Sequence, residues 1–114
     1  MAEAQQPSAS TDEQTSDDFI AAVLDVVSQI PEGHVMSYGG VAASLGSRAA
    51  RQVGKIMAYY GSTVPWWRVI RSDGYAPEGH DERALEHYEA EGTPLLPTAS
   101  GRVRVNMRLA QLRP

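Results

Sequence analysis

The sequence predicts a mainly α-helical domain, a winged helix-turn-helix-like fold with a small β element. Apolar residues recur at helical spacing in three stretches before residue 61. A tight glycine-containing turn joins the second and third of these stretches. A short run of alternating polar and apolar residues follows near the C-terminus. The length of 114 residues suits one domain with a single modest core.

The first helix is predicted to follow a polar tail. Residues 1–16 are rich in Ala, Gln, Ser and Thr, and we expect a disordered acidic tail because they cannot bury enough apolar surface. Residues 17–114 are expected to form the single folded domain. Ser16 is the predicted N-cap, and Pro31 to Gly33 end the helix. Its apolar residues at helical spacing are Phe19, Ile20, Val23, Leu24, Val26, Val27 and Ile30.

Two short helices around Gly46 form the predicted helix-turn-helix. Ser37 caps a helix over residues 38–45, which Gly46 ends. Ser47 caps a third helix over residues 48–60, and its N-terminal Arg48 and Arg51 would face a DNA groove. The alternative is three packed core helices without a nucleic-acid role. The inner face of the third helix is predicted to contain Ala50, Val53, Ile56 or Met57, and Tyr60.

The remaining elements are shorter. Residues 61–65 are predicted to form a loop that delivers Trp66 and Trp67. After it the sequence predicts a strand over 68–71 and a turn at 72–74. A charged amphipathic helix is predicted over 81–91 and ends at Gly92. A loop marked by Pro94 and Pro97 and a half-buried strand over 102–107 follow.

The charge distribution points to a nucleic-acid partner although the net charge is −4. Five of the acidic residues fall within residues 1–18, so the remainder carries ten basic against nine acidic groups. The segment 48–71 has no acid, and its basic residues are Arg48, Arg51, Lys55, Arg68 and Arg71. Such a basic patch beside a helix N-terminus favours contact with phosphates.

Composition excludes several classes of chemistry. The chain has no cysteine, which excludes disulfides, a thiol nucleophile and thiolate metal sites. His34, His80 and His87 lack the spacing of metal ligands, so we expect neither a metal nor a cofactor. No run of residues is long and apolar enough to span a membrane. The N-terminus is polar and acidic rather than basic and then apolar, which favours a cytoplasmic protein.

The candidate site residues also have simpler interpretations. Tyr38 could be a half-buried tyrosine, and Arg51 could be a solvated helix arginine. Trp66 and Trp67 could be one core anchor and one interface residue. Their setting in a loop beside a basic stretch nevertheless favours stacking on a displaced nucleobase.

Three motifs in register resemble the O6-alkylguanine-DNA alkyltransferases. Residues 30–39, IPEGHVMSYG, are similar to their IPxGxVxTYG segment, and residues 49–55, AARQVGK, to their AARxVGxA recognition helix. Residues 65–70, PWWRVI, are similar to their active-site PCHRVI. The resemblance extends over roughly residues 18–92. Trp66 stands at the position of the alkyl-accepting cysteine, so the chain resembles the alkyltransferase-like proteins, which bind alkylated guanine without repairing it.

The resemblance implies roles for individual residues. Tyr38 matches the tyrosine that rotates the damaged nucleotide, and Arg51 matches the arginine that fills the vacated stack. Trp66 matches a wall of the lesion pocket, which also includes Pro65, Trp67 and Arg68. Arg48 and Lys55 are expected to join Tyr38 and Arg51 in binding DNA. Glu91 matches the glutamate of the Cys-His-Glu relay, and Trp67 replaces its histidine.

The expected function is therefore non-enzymatic recognition of O6-alkylguanine by base flipping. The resemblance implies two kinds of partner, double-stranded DNA containing alkylated guanine and nucleotide-excision repair proteins. A monomer is expected because no dimerisation segment is visible. Two alternatives remain, a helix-turn-helix transcription regulator and an enzyme that acts on the flipped base with His80 and Glu78 near its pocket. No match was found in residues 75–81 to the arginine that the family places over the flipped base.

Overall fold

The computed structural model describes residues 16–114, and the predicted tail over residues 1–16 lies outside the described residues except for Ser16. The predicted mainly α-helical fold with a small β element is confirmed. The helices are α1 (Asp17–Ser28), α2 (Tyr38–Ser44), α3 (Ala50–Tyr60), α4 (Asp81–Glu91) and the single turn α5 (Met107–Ala110). The strands are β1 (Met36–Ser37), β2 (Val69–Ile70), β3 (Leu95–Leu96) and β4 (Arg104–Val105), and 3-10 turns lie at Gly61–Thr63 and Trp66–Arg68.

Helix α1 begins at the predicted cap. The Ser16 hydroxyl accepts a hydrogen bond from the Phe19 amide over 3.2 Å, which satisfies one of the first amide groups of the helix. The helix ends two residues earlier than predicted. The amide of Ile30 donates a hydrogen bond to the carbonyl of Val27, three residues back, which tightens the last turn. Val27 is buried against the core.

The predicted start of the third helix at Arg48 is wrong. The hydroxyl of Ser47 accepts from the amide of Ala49, only two residues on, over 3.0 Å. A serine bonded in this way closes a local turn instead of capping a helix. Helix α3 therefore starts at Ala50, and Arg48 lies in the turn between α2 and α3. Ser37, by contrast, caps α2 as predicted, with the amide of Gly40 donating to its hydroxyl over 2.9 Å.

The buried residues form two clusters. The first joins α1, α2 and α3 and includes Val23, Val27, Val41, Val53 and Ile56. The second lies beneath α4 and includes Val35, Ile70, Ala76, Ala84, Tyr88, Val105 and Ala110, with both tryptophans packed against it.

Tyr60 was predicted to face the core, and this is wrong, because 47% of its surface is exposed. It is the last residue of α3. Its ring lies 6.4 Å from that of the exposed Tyr59. The apolar stripe of α3 therefore ends at Met57, which packs against the first cluster.

The strands were predicted only in part. β1, which the sequence analysis missed, pairs in parallel with β2, with Met36 opposite Val69. β3 pairs antiparallel with β4, so the loop predicted around Pro94 and Pro97 is wrong for its central residues. The strand predicted over 68–71 shortens to two residues because Arg68 belongs to a 3-10 turn. The strand predicted over 102–107 also shortens, because α5 begins at Met107.

Candidate DNA interface and base pocket

A cavity of about 230 Å³ lies between α3 and the first turn of α4. Tyr38 and Trp66 supply its aromatic walls, and His80 and Arg83 lie at the α4 side. Small residues of α3 and the turn after it leave the space open: Gly54, Ala58 and Gly61. The volume is below the range of roughly 300–1,000 Å³ that is typical of ligand pockets.

Trp66 forms the wall of the cavity that faces α4. Its ring meets that of Trp67 edge to face, with 5.6 Å between centroids and 88° between planes. Edge-to-face contact is a favourable arrangement of two aromatic rings. The two indoles therefore have different environments: Trp66 borders the cavity, whereas Trp67 is not part of its lining.

Trp67 lies behind the cavity wall in a stacked and hydrogen-bonded position. Its ring stacks on His87 at 3.5 Å with an angle of 5°. Its indole Nε1 donates to Glu91 Oε2 over 2.8 Å. The fully buried Tyr88 donates its hydroxyl to the Trp67 carbonyl. Both the ring and the backbone of Trp67 are therefore held in place.

Glu91 accepts hydrogen bonds from three separate groups. Arg68 Nη2 donates over 2.6 Å, Trp67 Nε1 over 2.8 Å and the Gly33 amide over 3.2 Å. Arg68 also donates to the carbonyl of Ile30 over 2.8 Å, which ties the end of α4 to the chain after α1. Burial alone would raise the pKa of Glu91, but the hydrogen bonds from Arg68, Trp67 and Gly33 outweigh it and lower the pKa.

Tyr38 is the first residue of α2 and lines the cavity together with Trp66. Its position follows from the Ser37 cap, because the cap fixes where the helix begins. Burial raises the pKa of the Tyr38 hydroxyl, and the charge of Arg71 opposes the shift. The side chain therefore keeps its proton, and its hydroxyl can donate a hydrogen bond.

Helix α3 carries the exposed basic residues of the predicted interface. Arg51 lies in its first turn and Lys55 one turn further on, both exposed, and the exposed Arg48 precedes them in the turn. Residues four apart lie on the same side of a helix. Ala49, which precedes the helix, provides no side-chain cap.

The predicted pocket residues do not all reach the cavity. Trp66 lines it, whereas Pro65, Trp67 and Arg68 lie outside the lining. Arg68 is 12% exposed and is paired with Glu91, which is 9% exposed. The grouping of all four as a lesion pocket stays a prediction.

Sequence reasoning did not group three residues of α4 and its N-cap that surround Trp66. His80 was considered only in the enzyme alternative, His87 only as a possible metal ligand, and Arg83 was given no role. They occur at positions i, i+3 and i+7, which places them on one face of a helix. This spacing could have shown from the sequence that the three side chains lie on one face of the helix. Within residues 16–114, no three His, Asp or Glu side chains come together as metal ligands, and no helix is long and apolar enough to cross a membrane.

A family model matches residues 18–93, and its description is the DNA-binding domain of 6-O-methylguanine DNA methyltransferase. The chain is also 35% identical over 98 residues to alkyltransferase-like protein 1 of Schizosaccharomyces pombe, an alignment that covers 80% of this chain and 91% of that protein.

The chain belongs to the alkyltransferase-like proteins.

The resemblance drawn from the three motifs is thereby confirmed. A crystal structure of S. pombe Atl1 with damaged DNA containing O6-carboxymethylguanine matches this alkyltransferase-like fold with a TM-score of 0.77 and 33% identity. The match covers 87% of this chain and 98% of that one. The chain is also similar to the DNA base-flipping protein of Escherichia coli, with 49% identity over 61 residues. These residues are 51% of this chain and 47% of that protein, so the match covers about half of either.

Proposed function

We propose that the protein binds O6-alkylguanine in double-stranded DNA by turning the damaged base out of the duplex, without chemical reaction. The observation that carries this proposal is the cavity walled by Trp66 and Tyr38 beside the basic helix α3. Gly54 in the cavity wall lies three residues after the exposed Arg51, about one helical turn. A base in the cavity and a side chain in the emptied stack can therefore be held by the same helix.

The energetics of the proposal are balanced. Unstacking a base costs a few kcal/mol, and less when the base is damaged and weakly paired. Stacking against an aromatic side chain is worth about 1–3 kcal/mol per base. Each methylene of an alkyl group that is buried against apolar walls adds about 0.8 kcal/mol. Trp66 and Met57 supply such walls here, so longer alkyl groups gain affinity as long as the cavity holds them.

The DNA contacts of the proposal come from Tyr38, Arg48, Arg51 and Lys55. Arg51 would enter the duplex, since it is exposed in the first turn of α3. Arg48 and Lys55 are exposed on either side of it along the chain and would neutralise phosphates. Tyr38, at the border between this surface and the cavity, would press on the phosphate beside the lesion.

Alkyl transfer is excluded from the proposal because the chain contains no cysteine. A thiolate is the nucleophile in that reaction, and Trp66 stands at its place in the motif. A protein that binds a lesion without removing it leaves the repair to other proteins. We propose that the bound lesion is passed to nucleotide-excision repair proteins and that the binding form is a monomer.

The experiment is a binding titration of two matched duplexes, one with O6-methylguanine and one with guanine at the same position. The proposal expects the methylated duplex to bind more tightly, and 2-aminopurine opposite or beside the lesion to report unstacking. Equal affinities would refute it. Affinity that follows the surrounding sequence rather than the lesion would instead support a transcription regulator.

The same oligonucleotides distinguish binding from catalysis. After prolonged incubation, chromatography should return the lesion unchanged. Release of free base or restoration of guanine would support an enzyme, with His80 in the cavity wall as the first candidate for its acid or base.

A further inference from the structure

Three basic side chains of α4 and its N-cap surround the indole of Trp66. The His80 ring lies 5.4 Å from it and the His87 ring 5.9 Å, measured between centroids. The guanidinium carbon of Arg83 lies 5.7 Å from the same indole, over its face. A cation in this position is attracted to the electron-rich ring. His87 lies under the wall against Trp67, while His80 and Arg83 border the cavity itself.

The cavity has no carboxylate in its lining. Asp81, two residues before Arg83, is already occupied, since it accepts two hydrogen bonds from Arg102, each of 3.0 Å. Within residues 16–114, Arg83 has no ion pair and donates no hydrogen bond. Its neighbour Glu82 is exposed to solvent. The border of the cavity is therefore a cationic site whose charge no acid of the described residues offsets by direct contact.

We propose that this border makes the pocket selective for O6 substituents that end in an anion, such as a carboxyalkyl group, and that Arg83 is the residue that determines this specificity. The inference rests on the proposed function and goes beyond it, because the apolar walls by themselves favour only the size of an alkyl group.

The chemistry of a carboxylate suits Arg83. A guanidinium can donate two parallel hydrogen bonds to a carboxylate, and such charge-assisted bonds are shorter and stronger than neutral ones. Arg83 is exposed in the free protein, where water would weaken the pair. A base that fills the cavity and a duplex that covers its mouth would displace that water, and the attraction between the two charges would rise.

The test compares two lesions of nearly the same shape in one duplex, using the full chain. One duplex carries O6-carboxymethylguanine, and the other carries its uncharged amide, O6-carbamoylmethylguanine. The acid should bind about five- to tenfold more tightly than the amide at low salt. In the Arg83→Gln variant this ratio should fall to about one, and Arg83→Lys should keep part of it because the charge remains.

The control variant is Arg108→Gln, which removes the same charge from an exposed position on α5 away from the cavity lining. It should weaken both duplexes equally if at all and leave the acid-to-amide ratio unchanged. A ratio of one in the wild-type chain would overturn the inference, and so would an unchanged ratio in Arg83→Gln. A third duplex with plain guanine separates the two proposals. If it competes equally with both lesions, the proposed function fails as well; if it binds more weakly, only the selectivity for an anion fails.

Discussion

Glu91 is the side chain on which the contacts behind the cavity converge. The indole Nε1 of Trp67 donates to Glu91. A ring N–H is thus directed at this carboxylate. Arg68 adds an ion pair to the same carboxylate. Through these bonds Glu91 holds the segment that carries Trp66.

The lowered pKa of Glu91 predicts a loss of stability in acid. A carboxyl group whose pKa is lower in the folded than in the unfolded chain stabilises the fold above its unfolded pKa, about 4.3, and loses this contribution as the pH falls through the folded value. Asp81, whose pKa the Arg102 hydrogen bond lowers, acts in the same direction. Urea unfolding from about pH 7 to pH 3 should show the decline.

Glu91→Gln is the matching variant. Its free energy of unfolding at neutral pH should be lower than that of the wild type by about 1–3 kcal/mol, because the largely buried guanidinium of Arg68 loses its charged partner. Below about pH 4.3 its stability should depend less on pH than that of the wild type. Parallel acid profiles of the two proteins would show that Glu91 does not set this dependence.

Arg51→Ala tests the side chain assigned to the emptied stack. The variant should bind the O6-methylguanine duplex at least tenfold more weakly, a loss of about 1.4 kcal/mol or more. Its thermal unfolding should match the wild type within about 0.5 kcal/mol, because exposed substitutions seldom change stability further. Arg108→Ala controls for the loss of one positive charge. Wild-type affinity in Arg51→Ala would argue against insertion of this side chain.

At the scale of elements, the short β pairs hold the helices around the cavity. β2 follows directly on the turn that carries both tryptophans and is bound to β1, which precedes Tyr38. The two aromatic walls of the cavity are therefore linked through four strand residues. The second strand pair is β3 with β4. Beside it, the carbonyl of Gly74 accepts a hydrogen bond from the amide of Val105 in β4 over 2.7 Å.

Gly74 and Gly79 form a matched pair for testing this connection. Both have a positive φ, +90° and +83°, which favours glycine. A Cβ on Gly74 would come 2.5 Å from the carbonyl oxygen of Val105, whereas one on Gly79 would meet nothing within 4 Å. Each Gly→Ala change should cost about 1–2 kcal/mol of backbone strain, and Gly74→Ala should cost clearly more. Equal urea midpoints for the two variants would contradict the close contact.

At the scale of the whole molecule, charge and lesion recognition are separable. Beyond residue 18 the basic and acidic groups nearly cancel, yet Arg48, Arg51 and Lys55 are grouped at α3 and exposed. Phosphate contacts of this kind make binding depend on salt, with a slope of about −0.9 per phosphate neutralised. The proposed recognition of the base in the cavity would add affinity that is independent of those counterions.

Two variants separate these contributions. Lys55→Ala should reduce the slope of log K against log salt by about one and weaken methylated and plain duplexes alike. Trp66→Ala should leave the slope unchanged and reduce the preference for the methylated duplex, since it removes a cavity wall. Fluorescence anisotropy at four or five salt concentrations measures both quantities. A preference for the lesion that survives in a folded Trp66→Ala protein would contradict the role of this indole.

Much of the helical framework could be predicted because its signals are local. The Ser16 and Ser37 caps lie within a few residues of the amides that they bind, so sequence order alone reveals them. The same reasoning failed at Ser47, because its hydroxyl accepts a hydrogen bond from the amide of Ala49, two residues on, and does not cap a helix. β1 was missed because a two-residue strand carries no periodicity, and its partner Val69 is far away in the chain.

The sequence by itself determined the four longer helices apart from the start of α3, the exposed basic residues of α3, and the family. Caps, periodicity and motif spacing are properties of neighbouring residues. The tertiary structure alone decided that Trp67 lies behind the cavity wall that Trp66 forms. It also decided that Glu91 meets Arg68 and Gly33, and that one face of α4 lies against Trp66. Such contacts join residues that are distant along the chain, and only the packing of the two buried clusters fixes their distances.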